Sequence, residues 1–260
     1  LTVHLVGAGP GDPELLTVKA ARLLSTADVV VHDRLVSEAT LALVPERCLR
    51  IDAGKAAGRS PVSQTGINAL LVKHGRSGGT VVRLKGGDPY VFGRGGEEAT
   101  ALMDAGVDFE VVPGISSAIA APAAAGIPVT LRNRSTSFTV VTGHEHDEGS
   151  ARQGGSTDGS DGSCRVRWEA LAASGSTLVI LMGAARMARI AARLMAGGLP
   201  PSTPVAAVHW ATTDRQRVVR TDLGSVGSVR LGAPSTIVVG AVADLDLRGV
   251  NSSPTGDPAE

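Results

Sequence analysis

The sequence predicts an α/β protein of two domains, the first on a mostly parallel sheet and the second on a mixed sheet. Three observations predict it. Apolar strand-like segments alternate with helix-like segments through the first half. The stretch Leu5-Val6-Gly7-Ala8-Gly9-Pro10-Gly11-Asp12-Pro13-Glu14 runs from a strand through a glycine-rich turn to a helix start, the device by which α/β domains bring backbone close to a small ligand. In the second half, strand-like segments follow one another with fewer helices between them.

Residues 3–6 read as the first strand. Asp12 is a candidate N-cap with Pro13 at the first helical position, and 14–24 carries a helical apolar pattern. Residues 29–32 form a second buried strand, followed by Asp33 and a helix over 37–44. Residues 49–51 read as a short strand and 54–61 as a polar, basic loop. A helix over 67–74 closes at Gly75, read as the glycine just past a helix end. Residues 80–84 are a strand, 85–96 a loop, and 97–105 a helix ending at Gly106. A strand over 109–112 is stopped by Pro113-Gly114. A helix of small residues covers 116–125, and 126–133 reads as a connector. The first domain is therefore expected over 1–126, the second over 127–246, and a disordered tail over 247–260. In the second domain, strands are expected at 137–142, 177–182, 205–209, 218–221 and 236–239, with helices at 168–173 and 185–196. Residues 146–163, rich in Gly, Ser and Asp, read as a flexible loop.

Composition excludes several functions. Lys+Arg and Asp+Glu both number 25 and aromatics make up 2%, so neither a basic footprint nor a stacking platform for nucleic acid is present. No apolar run reaches the roughly 18 residues of a membrane helix. No basic stretch followed by an apolar segment opens the chain, so the expected location is the cytoplasm. Cys48 and Cys164 have no paired spacing, and the six histidines lack metal-ligand spacing, so no metal is expected.

The glycine turn differs from a dinucleotide fingerprint. Its spacing is G-A-G-P-G-D, and Asp12 and Glu14 at a helix start would repel a pyrophosphate and favour a cation. Asp33, at the end of the second strand, keeps a nicotinamide reading open. Such glycine density costs stability, so ligand approach is the expected reason for it. A second constellation, Arg83-Leu84-Lys85-Gly86-Gly87-Asp88-Pro89-Tyr90-Val91-Phe92-Gly93-Arg94-Gly95-Gly96-Glu97-Glu98, also joins a strand to a helix. In a parallel sheet its loop shares one rim with the first turn. Asp88 there is either an acceptor for ribose hydroxyls or an ammonium, or a helix cap. Asp33 suits a general base and Lys55 a general acid or a ligand for a substrate carboxylate; alternatively the two form a salt bridge that orders their loops. Arg34, Arg59, Arg83, Arg94, Arg132 and Arg134 fall in or beside these loops, and such forks would hold a polyanionic small substrate. Met182, before Gly183 at a strand end, is either core or ligand contact.

Taken in order, VGAGPGDPELLT, HDRLVS, GKAAG, VVRLKGGDPYVFGRGGEE, VVPGISSA, GIPVT and VVTGH resemble the tetrapyrrole methylases, the class III S-adenosylmethionine-dependent methyltransferases, from about residue 3 to 242. RLKGGDPYVFGRGGEE with DRLVS is similar to the members that act on uroporphyrinogen III. The resemblance implies two α/β domains with the cofactor in the cleft between them, and a homodimer. By motif match, Pro10, Gly86, Gly87, Asp88, Val91, Ser116, Ser117, Met182 and Ala211 would bind S-adenosylmethionine, or its product S-adenosylhomocysteine. Asp33 would match the family's proton acceptor and Lys55 its proton donor. Arg34, Arg59, Arg94 and Arg132 would hold substrate carboxylates. The implied reaction is C-methylation of uroporphyrinogen III to precorrin-2 through precorrin-1, in sirohaem or cobalamin synthesis. The alternatives are methylation of a later precorrin, a nicotinamide-dependent oxidoreductase, or a non-catalytic tetrapyrrole binder. His32 stands where the family usually has Tyr, Ala56 where it has Arg, and Ala211 where Gly is common.

Overall fold

The computed structural model describes residues 2–54, 62–144 and 166–249. The chain divides into two compact units, Leu1–Ala120 and Ala121–Glu260.

The first unit is an all-parallel sheet of strands β1 (Val3–Gly7), β2 (Val29–His32), β3 (Leu49–Asp52), β4 (Val81–Lys85) and β5 (Phe109–Val112), ordered β3-β2-β4-β1-β5. Helices α1 (Val18–Thr26), α2 (Glu38–Leu41), α3 (Gln64–Ser77) and α4 (Gly95–Asp104) connect the strands. Helix α5 (Ser117–Ala124) follows β5 and spans the division between the units. Successive strand residues point to opposite faces. Val6, Val30, Val82 and Leu84 therefore pack with Ala20 and Leu24 of α1 and Leu41 of α2. Leu5, Val31 and Val81 pack with Ile67 and Leu71 of α3 and Leu102 of α4. Apolar burial on both faces is what a parallel sheet requires. Its carboxyl ends share one rim, where the β1–α1, β2–α2, β4–α4 and β5–α5 loops lie.

The second unit holds β6 (Phe138–Thr142), β7 (Thr177–Leu181), β8 (Pro204–His209), β9 (Arg217–Asp222) and β10 (Ser235–Val239), in the order β6-β7-β10-β8-β9. Only β6–β7 is parallel; the other pairs are antiparallel, so the sheet is mixed as expected. Helices α6 (Trp168–Ala172) and α7 (Met187–Ala196) cover one face, with Trp168, Ile190 and Leu194 against Ile180, Val205 and Ile237. On the other face Ala121, Ala125 and Ile127 meet Ala206, Val208 and Val238.

Two local expectations are corrected. The first α-helix does not start at residue 14. Asp12 caps only a single 3-10 turn, Pro13–Leu15; Leu16 and Thr17 are extended, and Thr17 caps α1 through the Ala20 N–H. The helix dipole is therefore not aimed through Asp12 and Glu14, and the charge argument drawn from a helix start there falls. Gly75 does not end α3, which runs on to Ser77 and Gly78. A Cβ at Gly75 would lie 2.6 Å from a Val107 methyl and 2.8 Å from one of Val3, so its role is close helix–sheet packing. No described helix is long and apolar enough to cross a membrane.

Candidate active site

The rim of the first unit is held together by hydrogen bonds between its four loops. Gly9 and Gly87 exchange a reciprocal backbone pair, 3.2 and 2.7 Å, joining the first glycine turn to the Gly-Gly-Asp turn. Ser37 Oγ donates to the Gly11 carbonyl at 2.7 Å, joining the β2–α2 loop to the same turn. The Asp88 carboxylate accepts from the Tyr90 N–H at 2.8 Å and from the Gly114 N–H at 3.0 Å, joining the β4–α4 and β5–α5 loops. Asp88 is thus a clamp between loops, not a helix cap: Arg94 holds the cap position of α4 and makes no side-chain cap bond.

The glycines separate into two kinds. A Cβ on Gly7 would stand 2.5 Å from the Gly114 Cα, and one on Gly114 would stand 2.2 Å from the Gly87 carbonyl oxygen. These residues are glycine so that three backbones can touch, which corrects the expectation that the glycine density serves the ligand alone. At Gly86 and Gly87 the nearest atoms to such a Cβ are 3.5 and 3.8 Å away, so that face is open to an approaching group. The same loops carry exposed apolar side chains, Leu35 after β2, Tyr90, Val91 and Phe92 after β4 and Ile115 after β5, with Ile119 in α5. Pro10, Ser116 and Ser117 are half-buried in the same set of loops.

Under the rim lies a charge cluster. Arg83 and Lys85, two apart on β4, point to the α4 side and are each 2% exposed. Glu98 on α4 is fully buried, and its Oε1 accepts from Arg83 Nε and Lys85 Nζ, both at 2.9 Å. Arg83 also donates to Asp33 Oδ1 at 2.5 Å, and Lys85 Nζ stands 3.9 Å from Asp33 Oδ2. Asp33 is the exposed end of the cluster, its side chain 34% accessible. Burial pushes the Lys85 ammonium below its ordinary value and the neighbouring Arg83 adds to this, against the pull of Asp33 and Glu98. Arg83 is therefore corrected: it is not one of the rim arginines open to a substrate but an internal partner of two carboxylates. Sequence reasoning also passed over Glu98 and the placing of Lys85. The signal was present, since two cations alternating on an otherwise apolar central strand must be paired.

The remaining substrate-binding candidates divide. Arg34 and Arg132 are exposed. Arg94 already grips Glu97 through Nε and NH2, each at 2.7 Å. Both partners are more than half exposed, and such surface pairs contribute about 1 kcal/mol or less, so an incoming carboxylate could displace Glu97. Lys55, Ala56 and Arg59 lie outside the described residues, as do 146–163 and Cys164.

In the second unit, Met182 follows β7 with φ 56° and a 53% exposed side chain, so it is not core. Beside it Gly143 and Gly183 bring the ends of β6 and β7 into backbone contact: a Cβ on Gly143 would lie 2.4 Å from the Gly183 Cα. Ala211 is buried and packs in the apolar cluster with Ala121 and Val208, so its methyl adds nothing to an open surface. Its neighbours Trp210 and Thr212 both have positive φ, 45° and 65°. Strained non-glycine residues collect at functional sites; here they mark the ends of β7 and β8, as Phe92 and Arg94 mark the loop after β4. A cavity of about 330 Å³ in this unit is lined by Thr177, Pro204 and Gly240, at the opposite end of the sheet from Met182 and His209.

Residues 2–227 match the model of the Tetrapyrrole (Corrin/Porphyrin) Methylases, and the chain belongs to that family. It is 47% identical over 247 residues to the S-adenosyl-L-methionine-dependent uroporphyrinogen III methyltransferase of Methanosarcina barkeri, covering 94% of this chain and 92% of that one. It is also 47% identical to the siroheme synthase of Edwardsiella ictaluri, but spans only 50% of that longer protein. Among solved structures, the uroporphyrin-III C-methyl transferase of Thermus thermophilus, complexed with S-adenosyl homocysteine, superposes with TM-score 0.76 at 41% identity, covering 94% of both chains. A cobalt precorrin-4 methyltransferase gives the same TM-score at 27% identity.

Proposed function

We infer that this chain transfers methyl groups from S-adenosylmethionine to two ring carbons of uroporphyrinogen III, giving precorrin-1 and then precorrin-2. The supporting observation is the stitched four-loop rim around Asp33 and Asp88, in a chain 47% identical over nearly its full length to a relative with that activity.

The open face at Gly86 and Gly87 suits close approach of a nucleoside ligand. The Asp88 oxygens, each with one backbone donor, retain lone pairs for ribose hydroxyls. Val91 and the neighbouring exposed apolar side chains fit an adenine or methionyl chain. Carboxylates at Asp33 and Asp88 suit a cationic sulfonium better than a pyrophosphate. The cofactor supplies a methyl group already electrophilic enough to be taken by a carbon nucleophile. The protein's task is alignment and removal of charge. As the new C–C bond forms, the S–C pair returns to sulfur and the macrocycle gains a positive charge, which it sheds as a proton. Asp33, hydrogen-bonded by Arg83 at the rim, accepts that proton, and Lys55 reprotonates or positions the macrocycle. We assign Pro10, Ser116, Ser117, Met182 and the backbone of Ala211 to cofactor contacts and Arg34, Arg59, Arg94 and Arg132 to substrate carboxylates.

Incubation with uroporphyrinogen III and methyl-labelled S-adenosylmethionine, followed by mass analysis, tests the reading. The expected product carries two labelled methyl groups. Turnover only with a later precorrin would favour that alternative, and tetrapyrrole binding without transfer a non-catalytic role. Family membership leaves the nicotinamide alternative without support. We also propose a cytoplasmic homodimer, to be checked by light scattering.

A further inference from the structure

The buried cluster under the rim does not have the form of a stabilising device. Four charged groups, Arg83, Lys85, Glu98 and Asp33, meet where β2, β4 and α4 converge, and three of them are almost wholly excluded from water. Burying such groups generally costs more desolvation than their attraction returns, and apolar replacements are often neutral or better. Glu98 is not even fully satisfied: its Oε2 is buried without a hydrogen-bond partner among the described residues. Only Asp33 reaches the surface. The cluster is electrically balanced as long as Asp33 is ionised, and carries one excess positive charge once Asp33 holds a proton.

We propose that Lys85, anchored by Glu98, is a positioning residue whose ammonium faces Asp33 Oδ2 from the protein interior and sets how readily that carboxylate takes up and releases the reaction's proton. Lys85 has no route to the surface, so it acts through Asp33. The stem of Lys85 passes under the β4–α4 loop, where a Cβ on Gly93 would lie 3.2 Å from Lys85 Cε; the ammonium is thus walled in by the loop itself. When Asp33 is protonated, Arg83 and Lys85 face Glu98 alone, and the excess positive charge drives the proton back out to solvent. Among the described residues, several elements place titratable or charged groups around Asp33. β4 supplies Arg83 and Lys85, α4 supplies Glu98 with Glu97 further out, and β3 supplies Asp52 beside Gly54. Its own segment supplies His32 and Arg34.

The inference rests on Asp33 being the proton acceptor, and its test separates the two ideas. Lys85→Met removes a positive charge 3.9 Å from Asp33 and should move the acidic limb of the kcat profile to higher pH by about one unit. Glu98→Gln leaves two cations facing the single carboxylate of Asp33 and should move it to lower pH. The double variant Lys85→Met/Glu98→Gln, again balanced, should return the limb toward wild type. The substrate's own carboxyls titrate alike with every enzyme and cancel in the comparison. The same shifts should appear without catalysis, in the carbon-13 carboxyl titration of Asp33, assigned by its disappearance in Asp33→Asn. Should Glu98→Gln not fold, Lys85→Met and the double variant still carry the sign test. Shifts in the same direction for Lys85→Met and Glu98→Gln, an unmoved limb and resonance in Lys85→Met, or a double variant no closer to wild type than Lys85→Met would overturn the proposal. Normal turnover by Asp33→Asn with the resonance shifts intact would instead remove Asp33 from the chemistry and leave the coupling standing.

Discussion

Gly95 and Gly96 are adjacent, both open α4, and are expected to respond oppositely to the same methyl group. A Cβ on Gly95 would sit 2.3 Å from the Pro89 carbonyl oxygen and 2.9 Å from its carbon. The obstacle is backbone, and that same oxygen accepts from the Gly95 N–H at 3.0 Å. The Pro89 carbonyl has to retreat by roughly 1 Å to reach van der Waals distance. Overpacking of this kind costs about 1–3 kcal/mol, and the disturbed hydrogen bond adds about 1 kcal/mol. Gly95→Ala should therefore destabilise the first unit by about 2–4 kcal/mol. A Cβ on Gly96 meets nothing within 4 Å. Removing a helical glycine there should stabilise by about 0.5 kcal/mol. The assay must report on the right unit. Trp168 and Trp210 both lie in the second, so tryptophan fluorescence is blind to the change. Tyr90, the chain's single tyrosine, sits in the loop that Pro89 begins, and its near-ultraviolet signal through a urea titration follows the first unit directly. S-adenosylhomocysteine affinity should fall with Gly95→Ala and hold with Gly96→Ala. Urea midpoints for the two variants that agree, or a Gly95→Ala midpoint at or above wild type, would refute the steric account of this motif.

Three other outcomes follow from the geometry. Asp33→Asn should bind S-adenosylhomocysteine as wild type does in calorimetry while kcat drops about 10²–10⁴-fold; unchanged turnover would make Asp33 structural. Asp88→Ala removes two backbone-to-carboxylate bonds that tie the loops after β4 and β5. It should lower stability by about 2 kcal/mol and weaken S-adenosylhomocysteine binding about tenfold or more, with calorimetry showing tight binding if the clamp is dispensable. Arg193 grips both Glu169 oxygens, at 2.8 and 2.9 Å, and lowers the Glu169 carboxyl from 4.5 to about 2. The folded state then binds the proton less readily than the unfolded chain. This contribution to stability is complete above pH 4.5 and is lost as pH falls through about 2. Melting temperatures of Glu169→Gln should decline less steeply than wild type across that window; because the pair is exposed the difference is small, and parallel curves would show that the bridge contributes nothing.

The sheets were legible because burial imposes period. Uninterrupted apolar runs such as 29–31 and 81–82 announce strands covered on both faces, and the glycines and prolines between them mark the crossings. Boundaries failed where local chemistry offered two solutions. Asp12-Pro13 has the composition of a helix start, yet Thr17 is an equally good cap, and the chain uses the later one after a single tight turn. Gly75 has the composition of a helix stop. Whether it ends a helix or lets the helix approach Val3 and Val107 depends on partners far away in sequence.

The same limit governs the site, and it explains why so specific a motif was read only in part. In Arg83-Leu84-Lys85-Gly86-Gly87-Asp88, each residue type is compatible with ligand binding, and the sequence leaves Asp88 open between a ligand acceptor and a helix cap. The contacts divide it. Arg83 and Lys85 face inward to Glu98, Asp88 spends one lone pair on each of two loops, and Gly86 and Gly87 alone keep an unobstructed face. Most of the motif's information therefore specifies how four loops hold one another, with a smaller part left for what they hold. A rim assembled this way is preorganised, since the donors and carboxylates that meet a ligand are already fixed by bonds to neighbouring loops and need no rearrangement to act. It follows that substitutions at the inward-facing positions should alter catalysis without touching any ligand atom, and their signature should be a changed response to pH more than a changed affinity.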